Sequence, residues 1–488
     1  MPARPGAGSV SLRFTRYEAA LVLLFLLTLP FSNPWVRGDG VGYYAFARSL
    51  LIEHRLDFRE DWRHANLSFR MGRTDAANNV LPNQYTPTGY LNNHFSIGPA
   101  LLWSPFLLTA HAGVLLYDRL GGKVAADGFS RPYIVAMAFG TACYGFLALL
   151  LSFRLARRFV SERWAFLATL GIWFGSSLPV YMYFNPSWSH ALSAFVVAAF
   201  LAYWLRTRGE RGFGQWIILG ALGGLMMDVY YMNAALLLLP FIESFGSYWA
   251  AIRNRADRTA GRMLVMNVAF TIALLAAFLP TLIAKRIIYG SFFNFGYTVS
   301  WYWWSPAFLK ACFSPDHGLF SWTPIVIPSV AGLILCPRRY DRSLSLSLAA
   351  VFVVFLYVIG CYQNWDGLSS YGNRFFVSLT ALFILGLAAF LGWLASVWGE
   401  RRASITATAA GAVFVLWNLG LIFQWGLHMI PPRGPISWPV AAQNQMSVVP
   451  AKAATMVKLY MIRRRKLMDH IEQTDVKSLQ SEESRGTE

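Results

Sequence analysis

Residues 19–44 read AALVLLFLLTLPFSNPWVRGDGVGYY, and this stretch decides the fold. Ala19 to Phe31 carries no charge and follows Arg13 and Arg16. Such a start mimics a secretory signal peptide, but no small-residue cleavage site follows, so it reads as a retained first span. Past Pro34 the run breaks into Gly38-Asp39-Gly40-Val41-Gly42-Tyr43-Tyr44, a carboxylate between glycines where the chain leaves the apolar phase. Glycines there permit tight turns and close approach of a ligand. An acid there could take a proton from a hydroxyl. It could equally cap the helix that follows, a common task for Asp. Residues 41–52 have helical character, with Tyr44, Ala47, Leu50 and Leu51 on one side.

Similar apolar runs recur along all 488 residues. The chain is 56% hydrophobic and 14% charged, against roughly 25% charged in soluble domains. Runs of about 20 apolar residues are long enough to cross a hydrocarbon core. The sequence therefore predicts an all-α, polytopic transmembrane helical bundle. Its formal charge of +18 does not point to nucleic acid, because the Lys and Arg residues sit in short loops between apolar runs. That is the positive-inside pattern. The basic loops are 154–163, 206–211, 253–262, 338–342 (Arg338, Arg339, Arg342) and 401–402, placed in the cytoplasm with the N-terminus. The intervening loops 184–188, 228–233, 289–320 and 361–374 are aromatic and face the other side. Cys143, Cys312, Cys336 and Cys361 form no close pair of the kind that binds zinc; Cys312 and Cys361 could share a face, and the sequence leaves their pairing open.

With the first span leading out and loop 154–163 inside, an odd number of crossings lies between them. The better span is 131–153. Residues 95–118 contain Pro99 and Pro105 and are expected on the outer surface; the rival topology lets them cross. The count is about eleven spans with the C-terminus outside. Residues 1–430 form the membrane domain, with a first outer loop of about 37–130. Residues 431–488 are expected as an interfacial helix ending in a disordered polar tail.

The outer loops hold the remaining chemistry. His94 sits in Asn92-Asn93-His94-Phe95-Ser96, and His190 ends Asn185-Pro186-Ser187-Trp188-Ser189-His190. A lone interfacial histidine is most often a polar anchor, whereas ionisable groups inside spans are usually functional. Asp228 precedes Tyr230, Tyr231 and Asn233 and reads as a solvated turn. Lys285, Arg286, Lys310 and Arg374 are the few outer cations beyond the first loop and the tail. Each could bind a lipid phosphate or snorkel to ordinary headgroups. Arg374 follows a Gly-rich polar turn, which favours a functional role. No P-loop, dinucleotide fingerprint or metalloprotease motif is present.

In their order and common outer placement these motifs resemble the GT-C superfamily of membrane glycosyltransferases, especially bacterial relatives of protein O-mannosyltransferases and of the aminoarabinose transferases. Asp39, Tyr43 and Tyr44 match the acid and aromatics that follow that group's first span. His94 to Pro105 looks like its His/Pro juxtamembrane stretch, and Ser189-His190-Ala191 like an outer-end motif. Ser314 to Phe320, with Asp316 and His317, and Trp365 to Phe375, with Arg374, resemble two later outer motifs. The resemblance covers about residues 15–427.

It implies an inverting glycosyltransferase in a bacterial plasma membrane, using a polyprenyl-phosphate-linked sugar and an acceptor hydroxyl on a glycolipid, glycan or protein at the extracytoplasmic face. Asp39 would be the general base. Tyr43, Tyr44, His94, His190, Lys285, Arg286, Asp316, His317, Trp365 and Arg374 would bind substrate, and the aromatics at 301–304 would stack on sugar or cover the cavity. Many relatives carry a second acid beside the first, where this chain has Gly40. No two-carboxylate metal site is therefore expected in this loop, no cofactor is implied, and a need for a divalent metal stays open. The rival classes are a transporter or lipid flippase, or an O-antigen ligase or polymerase. No inverted repeat supports the transporter, and an early rather than late main outer loop argues against the ligase.

Overall fold

The computed structural model describes residues 14–209, 211–255, 257–335 and 342–485. Arg13, Cys336, Arg338 and Arg339 lie outside them. Among the described residues there is no strand, only three isolated bridges. The helices are α1 (Arg16–Thr28), α2 (Asp39–Leu51), α3 (Arg59–His64), α4 (Leu67–Arg70), α5 (Gly98–Arg119), α6 (Arg131–Ala156), α7 (Glu162–Gly175), α8 (His190–Thr207) and α9 (Phe213–Val229). They continue as α10 (Leu238–Arg253), α11 (Asp257–Tyr289), α12 (Phe308–Phe313), α13 (Leu319–Trp322), α14 (Val326–Leu335), α15 (Arg342–Cys361), α16 (Thr380–Trp398), α17 (Glu400–Gly426) and α18 (Trp438–Arg485). Eight of the helical segments are long and apolar enough to cross a membrane. Their outward residues are apolar, as with Leu264, Val268, Ile272, Leu275 and Leu279 along α11. Water would disfavour that belt and lipid would not, so the chain is an integral membrane protein.

The bundle has two chemically distinct ends. At one, α1 starts with a capping box between Thr15 and Glu18. Buried Glu18 receives Arg154 Nε at 2.6 Å and faces Arg157. Arg163 reaches Ser404, Arg211 pairs with Glu243 at 3.2 Å, and Arg208 bonds Ser343 at 2.9 Å. Loops 154–163 and 206–211 and the start of α17 thus lie at one end. At the other end stand Asp39, His190 and Arg374. Between the ends run α6, α8, α10 with the turn before it, α11, α15, α16 and α17, each long and apolar enough to cross, and the shorter α1, α7, α9 and α14 pack among them. Small residues allow the closest pairs. A Cβ on Gly220 or Gly224 of α9 would lie 2.2 Å from a carbonyl oxygen of α11, the small-xxx-small logic of membrane helix packing.

α5 is a continuous helix with the length and apolarity of a span, yet it does not run end to end. Before it, the Ile97 amide donates to Thr281 Oγ1 at 3.1 Å. After it, the loop returns to α2, where Tyr44 donates to the Gly128 carbonyl at 2.6 Å. α5 climbs antiparallel to α6, with Trp103 Nε1 on Thr141 at 2.8 Å and His111 on the Tyr133 hydroxyl at 2.6 Å. The segments that flank it both return to the Asp39 end.

The C-terminal segment is helical as far as the described residues run. Residues 438–485 are helical, broken only at Arg463, and pack back on the bundle. Gln424 donates to the Ala441 carbonyl at 3.1 Å. Tyr460 donates to the Phe31 carbonyl at 2.7 Å, and Arg464 to the carbonyls of Pro30 and Ser32. Glu472 accepts from the Ser68 amide at 2.6 Å. Residues 460–475 are thus held by the segment that follows α1 and by the first loop.

Candidate functional site

A cavity of about 1350 Å³ opens at the Asp39 end. Asp39 is the first residue of α2, and Gly38 at φ +53° precedes it as the cap. Its carboxylate does not cap the helix. It forms an ion pair with Arg374, Oδ2 lying 2.9 Å from Nη1. The surrounding glycines have a packing reason. A Cβ on Gly40 would lie 1.9 Å from Ser187 Oγ, and one on Gly42 2.1 Å from the Phe95 ring. Only glycine lets α2 press against both loops.

Arg374 opens the turn Arg374–Leu379 that leads into α16. Its guanidinium lies over Trp188, 4.5 Å from the ring centroid, and its Nε is buried without a partner. Ser187 Oγ and His190 Nδ1 are also buried and unpartnered. Orphaned buried polar atoms are rare in folded proteins, and three of them cluster about one ion pair. His190 is ringed by Tyr181, Trp188 and Tyr230, with centroids 4.8–6.0 Å away. His94 packs on Tyr297 at 4.8 Å. Burial pushes the His94 imidazole down to about 4, against the pull of Asp39, so it is neutral at pH 7. Burial likewise raises the Tyr43 phenol.

The charged lining consists of Arg37, Arg73, Arg374 and Arg433 against Asp39 and Asp475. Excess guanidinium suits a phosphate. Trp301 and Trp303 stack in parallel, 5.2 Å apart, and both line the cavity; Trp304 points fully outward. Leu419, Ile422, Phe423, Met456 and Val457 form an apolar wall. α18 contributes Leu467, Met468, Ile471 and Asp475. Burial alone would raise the Asp475 carboxyl, but His428 at 2.7 Å and Arg37 outweigh it and hold it low.

Of the expected site residues, Asp39, Tyr43, His94, His190 and Arg374 line this cavity, and six others do not. Tyr44 turns away to Gly128. Lys285 is buried and gives its ammonium protons to the Asn93 and Phe95 carbonyls at 2.9 and 2.7 Å. It holds the His94 turn rather than facing the cavity. Arg286 stands over Phe292 outside it. Asp316 and His317 form a separate cluster with Asp366. Trp365 uses its carbonyl to accept from Asn373 at 3.0 Å. Asp228 is fully buried rather than solvated. Sequence reading missed Arg37, Arg73, Trp188, Tyr230, Tyr297 and α18. Trp188 had a signal, since it lies inside the motif read for His190.

No protein-family model and no curated protein matches this chain. Among solved structures, its fold is similar to ArnT from Cupriavidus metallidurans bound to undecaprenyl phosphate, with a TM-score of 0.46 and 14% identity over 92% of this chain and 77% of that one. It is also similar to the archaeal oligosaccharyltransferase AglB from Archaeoglobus fulgidus in complex with an inhibitory peptide and a dolichol-phosphate, with a TM-score of 0.46 and 14% identity over 94% of this chain and 56% of that one. The cavity's own residues bear on function.

Proposed function

We propose that this chain is an inverting glycosyltransferase that moves a sugar from a polyprenyl phosphate to an acceptor hydroxyl at the extracytoplasmic face of a bacterial plasma membrane. The observation that carries this reading is the Asp39–Arg374 pair, set in a cavity with guanidinium groups on one part of its lining and apolar helix faces on another. In the resting pair each group neutralises the other. A lipid phosphate entering beside Arg374 offers its guanidinium, whose Nε is unpartnered, a second anion. Arg374 then shares its charge, and Asp39 becomes free to accept a proton.

The acceptor oxygen attacks the anomeric carbon as its proton passes to Asp39. The bond from that carbon to the phosphate oxygen breaks, and polyprenyl phosphate leaves with the electron pair. Arg374 stabilises the charge that develops on it, with Arg73 nearby. Neutral His94, together with His190, would hold hydroxyls of the sugar or acceptor, and Trp301 and Trp303 offer stacking faces. The wall from Leu419 to Val457 would take isoprenoid units. The test is transfer of radiolabelled sugar from polyprenyl-phosphate donors in membranes carrying wild type or Asp39→Asn. Donor-dependent labelling lost in the variant supports the reading. Equal labelling by both would remove Asp39 from the chemistry.

A further inference from the structure

We propose a divalent transition-metal site, of the Mn²⁺ or Zn²⁺ class, formed by Asp316, His317 and Asp366 outside the cavity lining. One ligand atom from each of the three lies within 4.8 Å of the others. His317 Nδ1 is 2.9 Å from the Asp366 carbonyl oxygen and 3.8 Å from Asp316 Oδ1. Asp316 Oδ1 and the Asp366 carbonyl thus flank Nδ1, and the Asp366 carboxylate belongs to the same cluster.

The donor count does not balance. His317 is fully buried, and an Nδ1–H could serve only one of the surrounding oxygens. Asp316 Oδ1 is buried with no hydrogen-bond partner, although the Gly434 amide lies by this carboxylate. His317 Nε2 is also buried and unpartnered, so the protein fixes the ring through Nδ1 alone. No arginine or lysine ion pair is formed by Asp316 or Asp366 among the described residues. Two carboxylates this close repel unless a cation joins them. A metal accepts the Nδ1 lone pair and all the surrounding oxygens together. One imidazole with oxygen ligands suits a borderline cation better than Mg²⁺ or Ca²⁺.

The cluster joins two turns. Asp316 and His317 lie between α12 and α13, and Asp366 lies in the loop that ends at Arg374. A cation there would tie the Arg374 loop to the α12–α13 turn and hold the guanidinium toward Asp39. It would act by positioning, since none of its ligands lines the cavity. This inference does not depend on the reaction proposed above.

The test uses the full chain in detergent micelles, free of a histidine tag. The protein is stripped with EDTA, dialysed, and re-equilibrated with Mn²⁺ or Zn²⁺. Metal content is then read by elemental analysis and stability by thermal unfolding. The expected result is about one ion retained per chain and a rise in Tm of several degrees on re-addition, with Mg²⁺ far less effective. Asp316→Asn/Asp366→Asn should fold, retain no ion and show no Tm response. Retention well below one ion per chain with an unmoved Tm, or equal retention by the double variant, overturns the site. If the double variant does not fold, His317→Gln replaces it, with at least a tenfold loss of retained metal expected and unchanged retention counting against the proposal.

Discussion

Helix α2 carries two Asp–Arg pairs that look alike in sequence and do different work. At its start, Asp39 meets Arg374 as an ion pair with one contact of 2.9 Å, and a third of the Asp39 side chain is exposed. Nine residues later, Arg48 meets Asp61 through two bonds of 2.7 and 2.6 Å, and both side chains are almost wholly buried. Arg48 also bonds Glu53 and lies over Phe129, so each of its three guanidinium nitrogens has a partner. The first pair leaves the guanidinium Nε without a partner. A saturated buried pair holds a structure, because losing one member strands the other charge. An unsaturated pair at a cavity wall can change partners when a ligand arrives.

If that contrast is right, Asp39→Asn and Asp61→Asn should fail in opposite ways. Asp39→Asn should cut transfer by about 10²–10⁴-fold with little change in Tm. A Tm loss matching that of Asp61→Asn would collapse the distinction. Asp61→Asn should lose about 3–5 kcal/mol of stability, read as lower Tm and membrane yield. Replacing both Arg48 and Asp61 with apolar residues should recover part of that loss, because no charge is then left alone. Arg374→Lys is a smaller cut on the other side. Lysine keeps the charge but loses the planar fork, so transfer should fall about 10–100-fold at nearly constant Tm. An unchanged rate would mean that charge alone suffices there.

The sequence made the first pair partly legible and hid the second. Asp39 stood out because three glycines crowd it just beyond an apolar run, and Arg374 because it follows a polar Gly-rich turn. Both features are local. Arg48 looked like an ordinary helix residue, since nothing short-range announces that Asp61 turns back onto it. Lys285 was misread for a similar reason. A cation near the outer end of a span suggests phosphate, but Thr281, Lys285 and Ile288 share one face of α11. That face receives the first loop, with Thr86 donating to the Ile288 carbonyl at 2.6 Å and Lys285 buried on the Asn93 and Phe95 carbonyls. The periodicity was available, while the segment that would cover the face was not. α18 lay furthest from view. Its composition is polar, and Asp475 meets Arg37 across a separation of 438 residues. Pattern reading within a short window has no access to such a contact, whereas the apolar periodicity of the bundle lies wholly inside that window.

The smallest effect probes the cavity wall between the two pairs. His94 lies close enough to feel Asp39, yet burial is the larger influence and takes its imidazole down to about 4. An unfolded histidine titrates near 6.5. Between those values the unfolded chain binds a proton that the folded chain refuses, so stability rises with pH across that window. The contribution is complete above about pH 6.5 and declines as the pH falls toward 4. Allowing for water in the cavity, the loss at pH 5 should be about 1 kcal/mol. His94→Asn removes the titrating group, and its Tm should fall less than that of wild type between pH 7 and 5. Thermal unfolding of both proteins in detergent at several pH values measures this. Parallel curves would mean that the Asp39 carboxylate offsets burial at His94, and Asp39 would then act on its surroundings even while paired with Arg374.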